Sequence, residues 1–349
     1  MDLIHPHTVA DLLDAVRTAN ADGRRLLPIG GRRHVDKGNP ADVDAELWTT
    51  QLDRLVAYEP AEMVAVVEAG MRLGELRRLL GEHGQEWAVD APDEATVGGV
   101  IASAPSSPRR LKVGAVRDTV LETEVVTGDG RLIRSGARTV KQATGYQIHK
   151  LVTGSLGTLG VIVQVALKLR PLPEARRTLR FDGSLGVADA VLAAVPAAAG
   201  VLVTPEGIEL GLEGWREEVA EQQRAAAAVA VPNESEDDAP FPRSRPWEER
   251  SAVVEAAVPP SRLGDVAVAA GDAWGALAGV GILWAGFERP EDAEGVRLVA
   301  AASGGISPAI RGAGGLGDAV VAAADVQRRL KQAFDPNGVL APGRGWGGI

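Results

Sequence analysis

The sequence contains no cysteine in 349 residues. This absence excludes disulfides, a thiolate nucleophile and a cysteine-ligated iron–sulfur cluster in this chain. Any electron relay that needs such a cluster must therefore sit on a partner chain. Histidine is almost as scarce: the chain has five, and none follows residue 149. We therefore predict no metal site, and no histidine base in the second half of the chain.

Aromatic residues, long apolar runs and positive charge are also in short supply. Aromatics make up 4% of the chain, so the core must be built mainly from Val, Leu, Ile and Ala. The apolar stretch 266–287 contains Asp272 and five glycines, which favours a helix followed by a buried strand over a membrane span. The net charge of −10 argues against a nucleic-acid partner. The first residues lack the features of a secretory signal, so we expect a cytoplasmic protein, peripheral to the inner face of a membrane only through partners.

Glycine, by contrast, is abundant, with 42 residues, and the length suits two domains. Thr8 begins a capping box ahead of a helix, and residues 63–69 form a strand rich in β-branched side chains. Residues 121–135 are typical of a hairpin that turns at Gly128-Asp129-Gly130. Residues 231–250 are polar and contain prolines, so we expect an exposed, mobile loop. The last helix is predicted over 318–334.

Two glycine-bearing segments lie next to predicted secondary structure: one follows a strand, and the other begins a short helix. Residues 28–34, Pro-Ile-Gly-Gly-Arg-Arg-His, follow a predicted strand, and paired glycines let consecutive backbone N–H groups turn toward an anion. A plain β-turn with two solvated arginines is the alternative. In residues 95–103, Thr96 is placed to cap a short helix whose glycine-bearing first turn permits a close approach by a ligand. A tightly packed helix start is the alternative there.

Two further segments lie between residues 109 and 160. Residues 109–118 are a basic run in an acidic protein, which is either a solvated face or a site for an anionic cofactor. Residues 154–160 have the spacing G-x-x-G-x-x-G and open a strand rather than a helix. The helix N-terminus that a Rossmann loop offers to a pyrophosphate is missing, so we exclude nicotinamide binding through this segment.

Together these segments resemble the FAD-binding domain of vanillyl-alcohol-oxidase-type (PCMH-type) flavoproteins. More narrowly, they are similar to the smaller FAD-binding subunit of bacterial glycolate oxidases. The resemblance covers most of the first domain and the last residues of the chain, and it is weak between about residues 175 and 310. The matching motifs are residues 96–99, 108–110, 114–118, 144–146, 154–160, 334–338 and 342–344.

The resemblance implies an α+β fold. It consists of a two-part PCMH-type FAD-binding domain followed by an α+β cap domain with an antiparallel sheet. We place the FAD-binding domain at residues 1–173 and the cap, or substrate-like, domain at 174–316. Residues 317–349 are expected to form a C-terminal helix and a tail that returns to the FAD-binding domain.

The resemblance also assigns roles to residues in the four segments. The first loop would wrap the pyrophosphate, the Thr96 segment would lie along the flavin and ribityl chain, and the last segment would meet the adenine half. FAD would be non-covalent, because Arg33 takes the position that a flavin-linking histidine has in several relatives. The expected FAD-binding residues are Gly30, Gly31, Arg32, Arg33, His34, Thr96, Gly98, Gly99, Ala102, Ser103, Gly114, Asp118, Gly157, Gly160, Val161 and Ile162.

The expected activity is oxidation of a 2-hydroxy acid within a complex that adds a catalytic flavoprotein and an iron–sulfur subunit. Two departures from the pattern of the smaller glycolate oxidase subunit weaken independent catalysis: Ile306 replaces a histidine, and Ala341 replaces the asparagine before Pro-Gly-Arg. A stand-alone oxidase or dehydrogenase without an active-site histidine, and a non-catalytic structural subunit, are the alternatives. The catalytic base stays unknown. Tyr146, as proton carrier or packed aromatic, and Arg311, as carboxylate anchor or surface charge, are the candidates.

Overall fold

The computed structural model describes residues 1–138, 146–316 and 324–348, which divide into two compact units. The first unit holds Met1–Pro105, Ala115–Leu172 and the C-terminal residues. The second unit holds Ser106–Gly114 and the chain from Pro173 onward to the C-terminal segment. The α+β fold class predicted from the sequence is confirmed, and the predicted domain boundaries stay predictions.

A small parallel sheet begins the first unit. Its strands are β1 (Asp2–Ile4), β2 (Leu26–Ile29) and β3 (Ala45–Trp48), in the order β1-β3-β2. The helix Val9–Ala21 packs Leu12 and Val16 into the core of this sheet, and Thr8 caps the helix through a capping box with Asp11, as the sequence predicts. Parallel pairing places the loops that follow β2 and β3 at the same edge.

The first unit also has a five-stranded antiparallel sheet, in the order β4 (Leu55–Glu59), β5 (Val64–Glu68), β9 (Val161–Lys168), β7 (Val120–Val126) and β8 (Leu132–Gly136). Valine is the most frequent residue in its three central strands, and this β-branched side chain fits a sheet buried on both faces. The predicted hairpin is confirmed as β7 and β8. A separate two-stranded antiparallel sheet pairs β6 (Gln85–Glu86) with β10 (Arg170–Pro171), and the helices of this part are Leu73–Gly81, Val97–Ser103 and Ile148–Val152.

The C-terminal segment returns to the first unit, as predicted. After the helix Ala324–Phe334 the chain runs beside β2, where Leu340 forms a parallel bridge with Leu26. Lys331 anchors this return: its ammonium donates to the Asp335 carboxylate at 2.6 Å and to the carbonyls of Thr158 at 2.8 Å and Leu340 at 2.6 Å. The Asp335 carboxylate also accepts from the backbone N–H of Leu340 at 2.8 Å. A buried ion pair therefore ties the tail to the loop before β9.

The second unit is built on an eight-stranded sheet, whose described strand pairs are all antiparallel, in the order β14-β11-β13-β12-β16-β17-β15-β18. Helices pack their valine and alanine faces against it. The strands are β11 (Ala175–Phe181), β12 (Gly200–Thr204), β13 (Gly207–Gly214), β14 (Glu234–Asp237), β15 (Ala252–Ala257), β16 (Trp274–Leu277), β17 (Ile282–Phe287) and β18 (Ala309–Arg311); the helices are Arg110–Val113, Leu185–Ala194, Arg216–Val229, Leu263–Ala269 and Glu294–Ala302.

Some local expectations are corrected. Residues 231–250 are not a simple exposed loop, because they contain β14 and Trp247, which is buried against Trp284. The apolar stretch 266–287 is one helix followed by two strands rather than one. The last helix is described only from Ala324 onward, and the beginning predicted for it, at residue 318, lies outside the described residues. Among the described helices, none has the length and apolar character needed to cross a membrane.

Candidate functional site

The glycine loops of the first unit surround one pocket. Its empty volume is about 730 Å³, counting space that is open to solvent. Fourteen of the sixteen residues expected to bind FAD line it; the two absent from the lining are Gly114 and Asp118. The full lining is Pro28, Ile29, Gly30, Gly31, Arg32, Arg33, His34, Val35, Thr49, Ala95, Thr96, Gly98, Gly99, Ala102, Ser103, Leu156, Gly157, Gly160, Val161, Ile162 and Arg344.

Thr96 joins the first two loops. Its hydroxyl oxygen accepts from the backbone N–H of Gly99 at 3.2 Å, which caps the helix Val97–Ser103, and from the N–H of Gly31 at 3.2 Å. A Cβ on Gly30 would lie 2.1 Å from this oxygen, and a Cβ on Gly31 would lie 2.3 Å from the Glu94 carbonyl oxygen. Glycine is therefore required where the two loops meet.

The consecutive glycines Gly98 and Gly99 have different surroundings. The N–H of Gly98 donates to the Ala69 carbonyl at 2.7 Å, and a Cβ on Gly98 would lie 2.7 Å from the Ala69 Cβ. Gly98 thus brings the helix close to the sheet. A Cβ on Gly99 would meet only the Thr96 hydroxyl, at 2.9 Å, within a 4 Å radius. Gly99 therefore presents bare backbone to the pocket.

The backbone around the pocket contains strained conformations. Arg32 and Leu156, both in the lining, have φ values of 57° and 56°, in the left-handed region that side chains disfavour. Such strain gathers at functional sites. Within the described ranges, the backbone N–H groups of Arg32 and Arg33 donate to no protein acceptor. Adjacent unbonded N–H groups of this kind form a concave site for an anion.

The two arginines of the first loop direct their charge to carboxylates. Arg32 Nη1 lies 2.7 and 2.8 Å from the two carboxylate oxygens of Glu46, which also accepts from Trp48 Nε1 at 3.0 Å. Arg33 Nη2 lies 3.6 Å from a Glu94 carboxylate oxygen. The loop therefore contributes backbone groups, while its guanidinium charges are already balanced.

Arg344, which the sequence did not single out as a site residue, lines the pocket from the C-terminal tail. It is 7% exposed and donates to the backbone carbonyls of Val35 and, at 3.4 Å, Asn39. Burial lowers the pKa of its guanidinium, and the Asp36 carboxylate partly offsets that shift. The tail motif Pro-Gly-Arg was the only sequence signal for this residue, and it indicates the tail rather than the pocket.

Four predicted site residues lie outside the pocket lining. Gly114 ends the helix Arg110–Val113 in the second unit, and the Asp118 carboxylate accepts from the Ala115 N–H at 3.4 Å. Tyr146 is 91% exposed, so it is not a packed aromatic. Arg311 donates to the carbonyls of residues 248 and 250, each at 2.5 Å, in the second unit. Their functional roles stay predictions.

The chemistry of the lining fits FAD. Glycine backbone, a pair of unbonded N–H groups and a buried arginine suit a diphosphate, while Ile29, Val161 and Ile162 supply apolar surface for a ring. Among the described residues, no group of three or more His, Asp or Glu side chains is placed to hold a metal ion. The lining thus has the chemical groups that a dinucleotide needs.

Comparison with known proteins supports this fit. Residues 3–136 match the family model described as FAD binding domain. The chain is 34% identical over 178 residues to glycolate oxidase subunit GlcE of Escherichia coli, covering 50% of each protein. It is 28% identical over 178 residues to the mitochondrial D-lactate dehydrogenase [cytochrome] of Arabidopsis thaliana, covering 49% of this chain and 30% of that protein. The aligned part is therefore half or less of each relative.

A solved structure of alkyldihydroxyacetonephosphate synthase shares the fold. It superposes with a TM-score of 0.71 at 17% identity and covers 97% of this chain and 76% of that one. At this identity the likeness shows the arrangement of elements alone. The family match carries the cofactor assignment, and it falls on the part of the chain that holds the first two pocket loops. The match of residues 3–136 to the FAD binding domain model is therefore the finding that indicates a family for this part of the chain.

Proposed function

We propose that the chain binds one FAD, without a covalent bond, in the pocket of its first unit. The observation that carries the proposal is the convergence of three separate glycine loops on one pocket in a chain with an FAD binding domain. The loops around Gly30, Thr96 and Gly157 would hold the cofactor largely through backbone groups. When bound, FAD supplies a two-electron acceptor that no amino-acid side chain provides.

Gly99 gives a direct test of cofactor binding. Gly99→Val places a branched side chain against the Thr96 hydroxyl and in the pocket, so we expect a folded protein that binds no FAD. Gly81→Val is the matched control, because Gly81 lies in the helix Leu73–Gly81 and a Cβ there meets nothing within 4 Å. Titration with FAD and far-UV circular dichroism measure the two properties. Full FAD content in Gly99→Val would remove this residue from the site.

The non-covalent part of the proposal rests on the position of His34. The family resemblance implies that Arg33 takes the position of a flavin-linking histidine, and His34 follows it by one residue. Acid precipitation should therefore release all flavin into the supernatant as free FAD, which chromatography and absorbance quantify. Flavin that stays with the precipitated protein would contradict the non-covalent assignment and point to His34 as the attachment site.

We propose further that the chain is an oxidoreductase subunit that acts on 2-hydroxy acids. The names of the two relatives refer to glycolate and D-lactate, and both compounds are 2-hydroxy acids. Oxidising such a compound requires a base for the hydroxyl proton and an anchor for the carboxylate. In this sequence the last histidine is His149 and cysteine is absent. We therefore assign the missing chemistry to a catalytic flavoprotein subunit and onward electron transfer to an iron–sulfur subunit.

Anaerobic stopped-flow reduction distinguishes a subunit from a free-standing enzyme. The FAD-loaded chain, mixed with glycolate or D-lactate, should keep its oxidised flavin spectrum for minutes, because loss of a general base costs ~10²–10⁴-fold in rate. Dithionite is the control that shows the flavin is reducible. Complete bleaching within seconds by either acid would replace the subunit proposal with an independent dehydrogenase. Isolation of a chain that binds no flavin would favour a structural subunit instead.

A further inference from the structure

Arg344 differs from the other two arginines of the pocket. Arg32 pairs with Glu46 at 2.7 Å, and Arg33 lies 3.6 Å from Glu94. Arg344 is the most buried of the three, at 7% exposure. In the part of the chain that the structure describes, no carboxylate oxygen lies within 4 Å of its guanidinium, whose partners are two backbone carbonyls.

The position of Arg344 is fixed by the surrounding chain. The Asn39 side-chain amide donates to the carbonyls of Gly343 at 3.3 Å and Gly345 at 2.9 Å, and the Asn39 N–H donates to the Arg344 carbonyl at 3.0 Å. Gly38 makes room for the side chain, because a Cβ there would lie 2.6 Å from Arg344 Cγ. The guanidinium is therefore held in place before any ligand arrives, which lowers the entropy cost of binding.

A buried charge of this kind is costly unless an opposite charge compensates it. Carbonyl oxygens satisfy part of its hydrogen-bonding capacity, since a guanidinium has five N–H donors, but they leave the net charge. The Asp36 carboxylate, which lies beyond 4 Å, offsets this charge only in part. Arginine is also the side chain best suited to bind phosphate oxygens with two parallel hydrogen bonds. An anion in the pocket would supply the missing compensation.

We propose that Arg344 is the positively charged residue that binds the diphosphate of FAD. The inference rests on the proposed cofactor and goes beyond it, because it moves the anion contact from the arginines of the first loop to the C-terminal tail. Arg32 and Arg33 then act as structural residues whose backbone N–H groups, rather than side chains, face the diphosphate.

The test compares ligands that carry a diphosphate with matched ligands that lack it. Flavin-free protein is titrated with FAD and riboflavin, and with ADP and adenosine, by fluorescence and calorimetry. We expect Arg344→Met to weaken FAD and ADP binding about 10- to 100-fold, the usual effect of losing a charged hydrogen bond. Riboflavin and adenosine should bind Arg344→Met as they bind the wild type. Arg344→Lys should restore part of the lost FAD and ADP affinity.

Arg78→Met is the matched control, because Arg78 lies outside the pocket lining and its charge is already balanced by Glu75 and Glu82, so we expect less than about threefold loss for all four ligands. Equal weakening of all four ligands by Arg344→Met would assign the residue a structural role and overturn the proposal. Unchanged FAD and ADP affinity would also overturn it. If Arg344→Met does not fold, the same four titrations are made with Arg344→Gln. The dependence of wild-type ADP affinity on salt concentration is measured beside them, and the two results decide whether Arg344 binds the diphosphate. A wild type that binds no FAD contradicts the proposed cofactor itself.

Discussion

Each unit of the molecule buries one charged side chain that has no opposite charge within 4 Å among the described residues. In the first unit this is Arg344, which lines the pocket. In the second it is Glu255 on β15, whose carboxylate accepts from the Ser106 hydroxyl at 3.1 Å and from Trp284 Nε1 at 3.1 Å. The other buried carboxylates have basic partners: Glu46 with Arg32, Glu68 with Arg54, Glu122 with Arg134, Asp335 with Lys331, Glu213 with Arg109, and Glu209 with Arg180.

The difference between these two residues lies in what surrounds them. Each oxygen of Glu255 has a neutral donor from within its own unit, so the anion is solvated by protein. Arg344 has more donors than its two carbonyl partners can accept, and it borders open space. One buried charge is therefore complete without a ligand, whereas the other is arranged to receive one.

The largest expected effect is on the free energy of unfolding, when the cation of a buried ion pair is removed. Lys331→Met removes a buried ammonium and leaves the Asp335 carboxylate without it, so we expect a loss of about 3–5 kcal/mol of unfolding free energy. Arg328→Met in the same helix breaks an exposed pair with Asp325 and should cost about 0–1 kcal/mol. Urea unfolding measures both. Similar losses of unfolding free energy in the two variants would show that burial does not increase the contribution of the Lys331–Asp335 pair to stability.

A second, smaller effect compares the two kinds of buried carboxylate in the second unit. Glu213→Gln removes the charge that balances Arg109 and should cost about 1.5–3 kcal/mol. Glu255→Gln keeps a hydrogen-bonding group between two neutral donors, so its cost should stay below about 1 kcal/mol. Chemical unfolding of the pair gives the difference. A larger loss for Glu255→Gln would reveal a cationic partner for this residue and break the comparison.

The smallest effect concerns a buried group of the first unit that is neutral. Burial is the main cause that lowers the pKa of His149 below its ordinary value of 6.5, and Lys150 adds to it. His149 therefore binds a proton near pH 6.5 in the unfolded chain, but only at a lower pH in the folded chain. Stability should fall as pH drops below this value, by at most about 1.4 kcal/mol per pH unit from this residue. His149→Gln should remove that slope between pH 6.5 and 5 in thermal unfolding. An unchanged slope would assign it to other groups.

Local patterns in the sequence predicted most of the pocket, because its loops are built by backbone and glycine spacing reveals such loops. Arg344 was missed because its place depends on the return of a tail from more than 150 residues away, which no local pattern encodes. The pairing of Arg32 with Glu46 was missed for a related reason, since it depends on the parallel register of β2 and β3. The buried Trp247 made residues 231–250 more ordered than their polar composition indicates.

The return of the tail to β2 also sets an order of events during synthesis. The glycine loops have been synthesised once residue 162 is added, but Leu340 and Arg344 complete the strand edge and the pocket only after the whole second unit has been made. At about 5–20 residues per second, that interval lasts roughly 10–40 s. The nascent first unit thus waits with an unfinished pocket, and Arg344 can contribute to the pocket only after the second unit has been synthesised.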